Sequence, residues 1–120
     1  MIVYKVVYCD YHNKLFSAMT MGGNWSVAYP RYRWASGPFG TPLLAFDTPE
    51  RAVDFHRQYC SSGWEIWEAE AENARPQGML SSYLSRYDTF WKEGASSSEA
   101  CLAPPGTMAC DRIRLTKRLA

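Results

Sequence analysis

The chain has 120 residues, 47% of them hydrophobic and 21% charged, with a net charge of +1. This length and balance suit one globular domain, 1–120, with a core that needs no disulfide staples. A net charge so close to zero argues against long nucleic acid or an anionic membrane as partner, since both call for a broad cationic field.

The opening segment, Met1 to Asp10, is interrupted by Lys5 and Asp10 and so lacks the unbroken apolar core of a signal peptide. No uncharged apolar run approaches the roughly 20 residues of a membrane span. The expectation is a cytoplasmic protein with reduced cysteines. Ile2 to Cys9, with Val and Tyr on both faces, predicts a central strand. Asp10-Tyr11-His12-Asn13 is turn-like, and Lys14 to Met19 is expected to return as a hairpin arm. Gly22-Gly23-Asn24 leads into a third strand at Trp25–Tyr29. Pro30 to Pro42 reads as an ordered loop, because it carries Tyr32, Trp34 and Phe39 among its prolines and glycines.

Leu43 to Phe46 is a short apolar strand. Thr48-Pro49-Glu50 then spells a helix start: an N-cap hydroxyl, a proline at the first turn, and an acid at the positive dipole end. Ala52, Val53, Phe55, His56 and Tyr59 continue at helical spacing towards a glycine stop at Gly63. Trp64 to Glu72 alternates Trp67, Ala69 and Ala71 against Glu68, Glu70 and Glu72, which predicts a strand. The three- and four-residue steps of Leu80, Tyr83, Leu84, Tyr87, Phe90 and Trp91 predict a second helix over Met79–Glu93. Ala95 to Gly106 reads as a loop. The closing strand puts Ile113, Leu115 and Leu119 on one face and Arg112, Arg114 and Arg118 on the other. The fold class expected is α+β, a mostly antiparallel sheet of about six strands with two helices packed on it.

Three arginines on one sheet face need carboxylates or an anionic ligand. Arginine presents a planar fork that fits phosphate oxygens in pairs. The structural alternative is that Glu68, Glu70 and Glu72 lie across the sheet and neutralise them. The loop Tyr29–Phe39 interleaves Arg31 and Arg33 with Tyr32, Trp34 and Phe39, a mixture suited to stacking a base beside a phosphate, or to an oligomer interface. Glu68-Ala69-Glu70 matches the carboxylate pair of ADP-ribosyltransferases, but without the arginine on the first strand or the Ser-Thr-Ser strand that accompany it there. On an exposed strand face such a pair is ordinarily solvated surface.

Cys9 with His12, and His56 with Cys60, could be drawn together as a zinc site, but no Cys-x-x-Cys pair is present and no metal is expected. A Gly-rich phosphate loop, a Gly-x-Ser-x-Gly elbow and a His-Glu-x-x-His motif are all missing. Nucleophilic catalysis would rest on Ser17, or on Cys9 with His12, with no third member in view.

The succession Tyr4-Lys5-Val6-Val7-Tyr8, Phe16-Ser17-Ala18, Trp25-Ser26-Val27-Ala28-Tyr29 and Leu44-Ala45-Phe46-Asp47-Thr48, closing on Gly106-Thr107 and the basic strand, resembles the anti-Thoeris sponge family of phages and prophages. The resemblance runs over nearly the whole length by pattern and size. It implies a non-enzymatic, cofactor-free protein of the host cytoplasm that sequesters cyclic ADP-ribose-type signals made by TIR-domain enzymes. It further implies a homo-oligomer built from dimers, with ligand sites at protomer interfaces and separate sites for cyclic oligonucleotides. Binding would blunt Thoeris- and CBASS-like immunity by lowering the free signal. From the residues themselves, Arg112 and Arg114 are the expected phosphate clamps, and Phe90, Trp91 or Trp34 the stacking faces. Thr107 is the hydroxyl donor, with Tyr83 and Arg31 in supporting places. The rivals are a transferase using Glu68 and Glu70, and a protein–protein inhibitor that uses the aromatic loop.

Overall fold

A computed structural model describes residues 1–17, 26–59, 63–81 and 100–120. The elements are β1 (Ile2–Cys9), β2 (Leu15–Ser17), β3 (Trp34–Ser36), a 3-10 turn at Pro38–Gly40, β4 (Leu43–Phe46) and α1 (Pro49–Tyr59). They continue with β5 (Trp64–Glu72), β6 (Arg75–Pro76), β7 (Met79–Ser81), β8 (Ala100–Leu102), β9 (Thr107–Cys110) and β10 (Arg112–Arg118). Eight strands form one antiparallel sheet in the order β3-β10-β5-β1-β4-β9-β6, with β2 beside β1, while β7 and β8 pair separately.

The sheet returns on itself. Only Asp111 separates β9 from β10, so the path β10-β5-β1-β4-β9 ends on the segment where it began. On the opposite side, β5 and β6 run as one bent ribbon against β9 and β10, holding one register from Arg114↔Glu70 to Arg75↔Ala109. At the bend Asn73 adopts φ 52, a left-handed conformation that asparagine tolerates. Its side-chain amide donates to Asp111 Oδ2 at 3.1 Å, and Arg75 Nη1 donates to Asp111 Oδ1 at 3.1 Å.

Alternation sorts the side chains. Val3 and Val7 of β1, Leu43 and Ala45 of β4, Ala69 and Ala71 of β5, and Ile113 and Leu115 of β10 fill the inside with Tyr29 and Met108. So tight a circuit leaves little room within, which the alanines accommodate. Val6, Phe46 and Ile66 point outward and receive α1 through Ala52, Val53 and Phe55. The helix starts as its sequence dictates, with Pro49 leading and Thr48 Oγ1 accepting the Arg51 amide at 3.3 Å. The helix ends at Tyr59, residues 60–62 lie outside the described residues, and Gly63, with φ +90, leads into β5.

Several expectations are corrected. One helix is present among the described residues, not two: Met79–Ser81, the proposed start of the second, is strand β7 paired with Ala100–Leu102. The cross-strand hydrogen bonds of that pairing override the helical spacing at its first residues, while 82–93 lie outside the described residues. The turn at 22–24 and residue 25 lie outside the described residues; the rest of the expected third strand, 26–29, forms one bridge, Phe16↔Ala28, flanked by Ser17 N–H to Val27 O at 2.9 Å and Tyr29 N–H to Leu15 O at 2.9 Å. The Pro30–Pro42 loop yields β3, because Trp34 to Ser36 finds the free edge of β10.

Candidate functional site

β10 runs between β5 and β3, which places Arg112 opposite Glu72 and Arg114 opposite both Glu70 and Trp34. Arg112 grips Glu72 with two donors, Nε to Oε2 at 2.7 Å and Nη2 to Oε1. Arg114 Nη2 donates to Glu70 Oε2 at 2.6 Å. The two guanidinium carbons lie 4.7 and 5.1 Å from the centre of the Trp34 ring, within cation–π range. All four charged side chains remain partly exposed. Arg112 holds the Glu72 carboxyl below the usual carboxylate range, and Glu72 in turn raises the guanidinium. Arg114 Nε is buried with no hydrogen-bond partner. The cations are therefore not free: the cross-strand neutralisation that the glutamates offered is what the structure contains.

Arg118 leaves this face altogether. A bulge between Leu115 and Lys117 adds one residue to β10, so Lys117 falls opposite Glu68 and Arg118 opposite Trp67. Arg118 Nη1 then meets the buried Glu65 carboxylate at 3.4 Å, and Glu65 also accepts the Trp67 indole N–H at 2.9 Å. Leu119, expected beside Ile113 and Leu115, is exposed for the same reason. A one-residue insertion exchanges the two faces for everything after it.

Of the expected site residues, Arg112, Arg114 and Trp34 come together. Arg31 lies elsewhere, its Nη1 and Nη2 on Asn13 O and Oδ1 at 2.8 and 3.1 Å and its guanidinium 5.9 Å from the Trp67 ring. Thr107 is buried on β9, away from the arginine face, and its hydroxyl donates to Pro104 O at 2.6 Å. Tyr83, Phe90 and Trp91 lie outside the described residues. Of the carboxylate pair, Glu70 is engaged by Arg114, whereas Glu68 has no side-chain partner among the described residues.

The remaining candidates are dispersed or engaged. Ser17 Oγ accepts the Val27 amide at 2.9 Å. Cys9 Sγ faces Asn13 Oδ1 at 3.5 Å, His12 lies against Tyr11, and His56 Nε2 is 3.1 Å from Trp64 O. Cys60 lies outside the described residues.

Lys5 is the group the sequence reading passed over. It shares the inward face of β1 with Val3 and Val7, and its amine donates to Leu44 O at 2.6 Å. β1 and β4 share one backbone-paired position, Tyr4↔Phe46, and the lysine supplies a further link across that seam. The Tyr29 ring lies 5.1 Å from the amine. Burial lowers the Lys5 amine to about 8 and lifts the Cys110 thiol to about 11 and the Tyr29 phenol well above its ordinary value. The signal was present in the alternation Val3-Lys5-Val7, which places a cation on an apolar face. Comparison with protein-family models, curated proteins and solved structures finds no match for this chain.

Proposed function

We propose that the protein captures a small phosphate-bearing nucleotide of the cyclic ADP-ribose class and releases it unaltered, with Arg112, Arg114 and Trp34 as the recognition surface. The observation that supports this reading is the pair of guanidiniums held side by side against one indole, on side chains that remain partly exposed. Because both arginines carry carboxylates, binding works by exchange. Glu70 and Glu72 keep the forks oriented until phosphate oxygens take their place. The exchange is inexpensive, since an exposed pair such as Arg114–Glu70 contributes at most about 1 kcal/mol. Homo-oligomerisation, with the site at a protomer seam, belongs to the same proposal.

The test is thermal denaturation with cyclic ADP-ribose isomers and cyclic oligonucleotides, with mass spectrometry of the ligand afterwards. A ligand at 100 times its Kd raises stability by about 2.7 kcal/mol. Arg112→Ala should retain the fold and lose that shift, and the ligand should be recovered with unchanged mass. If no such nucleotide stabilises the protein, or if Arg112→Ala unfolds it, the arginine ladder is structural and the proposal fails. Release of nicotinamide from NAD would instead point to a transferase using Glu68 and Glu70. A protein-contact module is the second reading, favoured by Tyr32, which is 64% exposed on the aromatic loop. Its signature is a stoichiometric protein partner with no small molecule retained.

A further inference from the structure

We propose that Lys5 is a reactive amine that forms an imine with small uncharged aldehydes or ketones, a site separate from the arginine face. A lysine becomes a nucleophile when its surroundings disfavour the ammonium form, and an apolar wall does this most directly. The Lys5 amine lies against such a wall. Val3 and Val7 flank it on β1, Tyr29 presents its ring face at 5.1 Å, and Cys110 belongs to the same inner cluster. An ammonium carries three donors. Among the described residues its one hydrogen-bond acceptor is Leu44 O at 2.6 Å, and no carboxylate forms an ion pair with it.

The titratable groups facing the amine are the Tyr29 phenol and the Cys110 thiol, both pushed towards their neutral forms by burial. A Cys110 thiolate would raise the amine again, but burial keeps the thiol protonated up to about pH 11, so near pH 8 that charge is absent. With the amine lowered to about 8, about half is neutral at pH 8, against well under roughly one in a hundred for a solvated lysine. Lys5 as a residue is partly exposed, and in this proposal a small carbonyl compound reaches the amine along the solvent-facing part of its side chain.

In the reaction the Nζ lone pair adds to the carbonyl carbon and a C–N bond forms. The carbonyl oxygen departs as water with the two amine hydrogens, and an imine remains. Added cyanoborohydride delivers hydride to the protonated imine and traps it as a secondary amine.

The experiment uses the unmodified full chain with acetaldehyde and cyanoborohydride, followed by peptide mass spectrometry over time between pH 7 and 10. Lys14 and Lys117, both exposed, serve as internal references. Lys5 should be ethylated at least about tenfold faster than either at pH 8, with its rate levelling off above that pH while theirs keep rising. Labelling of Lys14 and Lys117 with Lys5 untouched or no faster overturns the proposal. The readout is residue-resolved on the parent protein, so it depends on no variant folding. Lys5→Arg keeps a donor for Leu44 O and should erase the fast site.

Discussion

Gly106→Ala tests the packing of the turn before β9 most sharply. Gly106 has φ +81, a left-handed conformation that costs a residue bearing a Cβ about 1–2 kcal/mol. Space adds to the strain. The new methyl would fall within the van der Waals envelopes of the Asp47 carboxylate and the Arg51 side chain. Both must swing aside, which breaks their 3.7 Å ion pair, while the backbone still has to satisfy the Asp47 amide, which donates to Gly106 O at 3.0 Å. The pair, partly exposed although Asp47 Oδ1 itself is buried, contributes about 0.5 kcal/mol as an i,i+4 contact, so the total loss should be about 2 kcal/mol. For a chain of 120 residues that corresponds to a fall in Tm of about 8 °C. Thermal melts and urea titration measure it, with an unchanged m-value showing that the unfolded state is unaffected. Arg51→Ala in the same background should recover part of the loss, because it removes one of the obstructing side chains but leaves the backbone strain. A loss under about 0.5 kcal/mol would show that the turn relaxes freely and would refute the reasoning.

Trp67→Phe removes the indole N–H from Glu65 and leaves a buried carboxylate with Arg118 as its remaining side-chain partner, so a loss of roughly 1–3 kcal/mol is expected in urea titration. An unchanged midpoint would mean that Glu65 reaches solvent. Stability should also follow pH in a particular way. Between pH 8 and 10.5 the unfolded chain holds the Lys5 proton that the native state has released, so stability rises with pH. From about pH 9 to 11 the native state retains the Cys110 proton that the unfolded chain has lost, and Tyr29 acts in the same sense from pH 10, so stability falls. Denaturation midpoints should therefore rise to a maximum between about pH 9 and 10, where the opposing slopes cancel, and a steady decline from pH 7 to 9 would contradict the buried amine. On the acid side, Glu72 and Asp111 have lowered folded values, so stability present above the ordinary carboxylate range drains away as pH falls through it.

Elements built from local chemistry were legible in the sequence. Thr48-Pro49-Glu50 started a helix where the structure has one, and Leu43–Phe46 and Trp64–Glu72 are strands over those same residues. Strict alternation in β5 already separated Ala69 and Ala71 from the glutamates, because side-chain direction in a strand follows from the backbone alone. At Met79–Ser81 the helical spacing misleads, since three residues carry too little periodic signal to outweigh a distant hydrogen-bonding partner at Ala100–Leu102.

The sequence by itself determined which residues could share a face, because that depends on the two-residue repeat of an extended chain. Tertiary structure decided what each face meets. It set Glu70 and Glu72 against Arg114 and Arg112, since cross-strand register depends on which strands pair. It moved Arg118 to the opposite face through one bulged residue, and it curled the sheet until the Lys5 amine lay across a seam from Leu44. These outcomes arise from contacts between segments far apart in the chain, and no local pattern of residues encodes them.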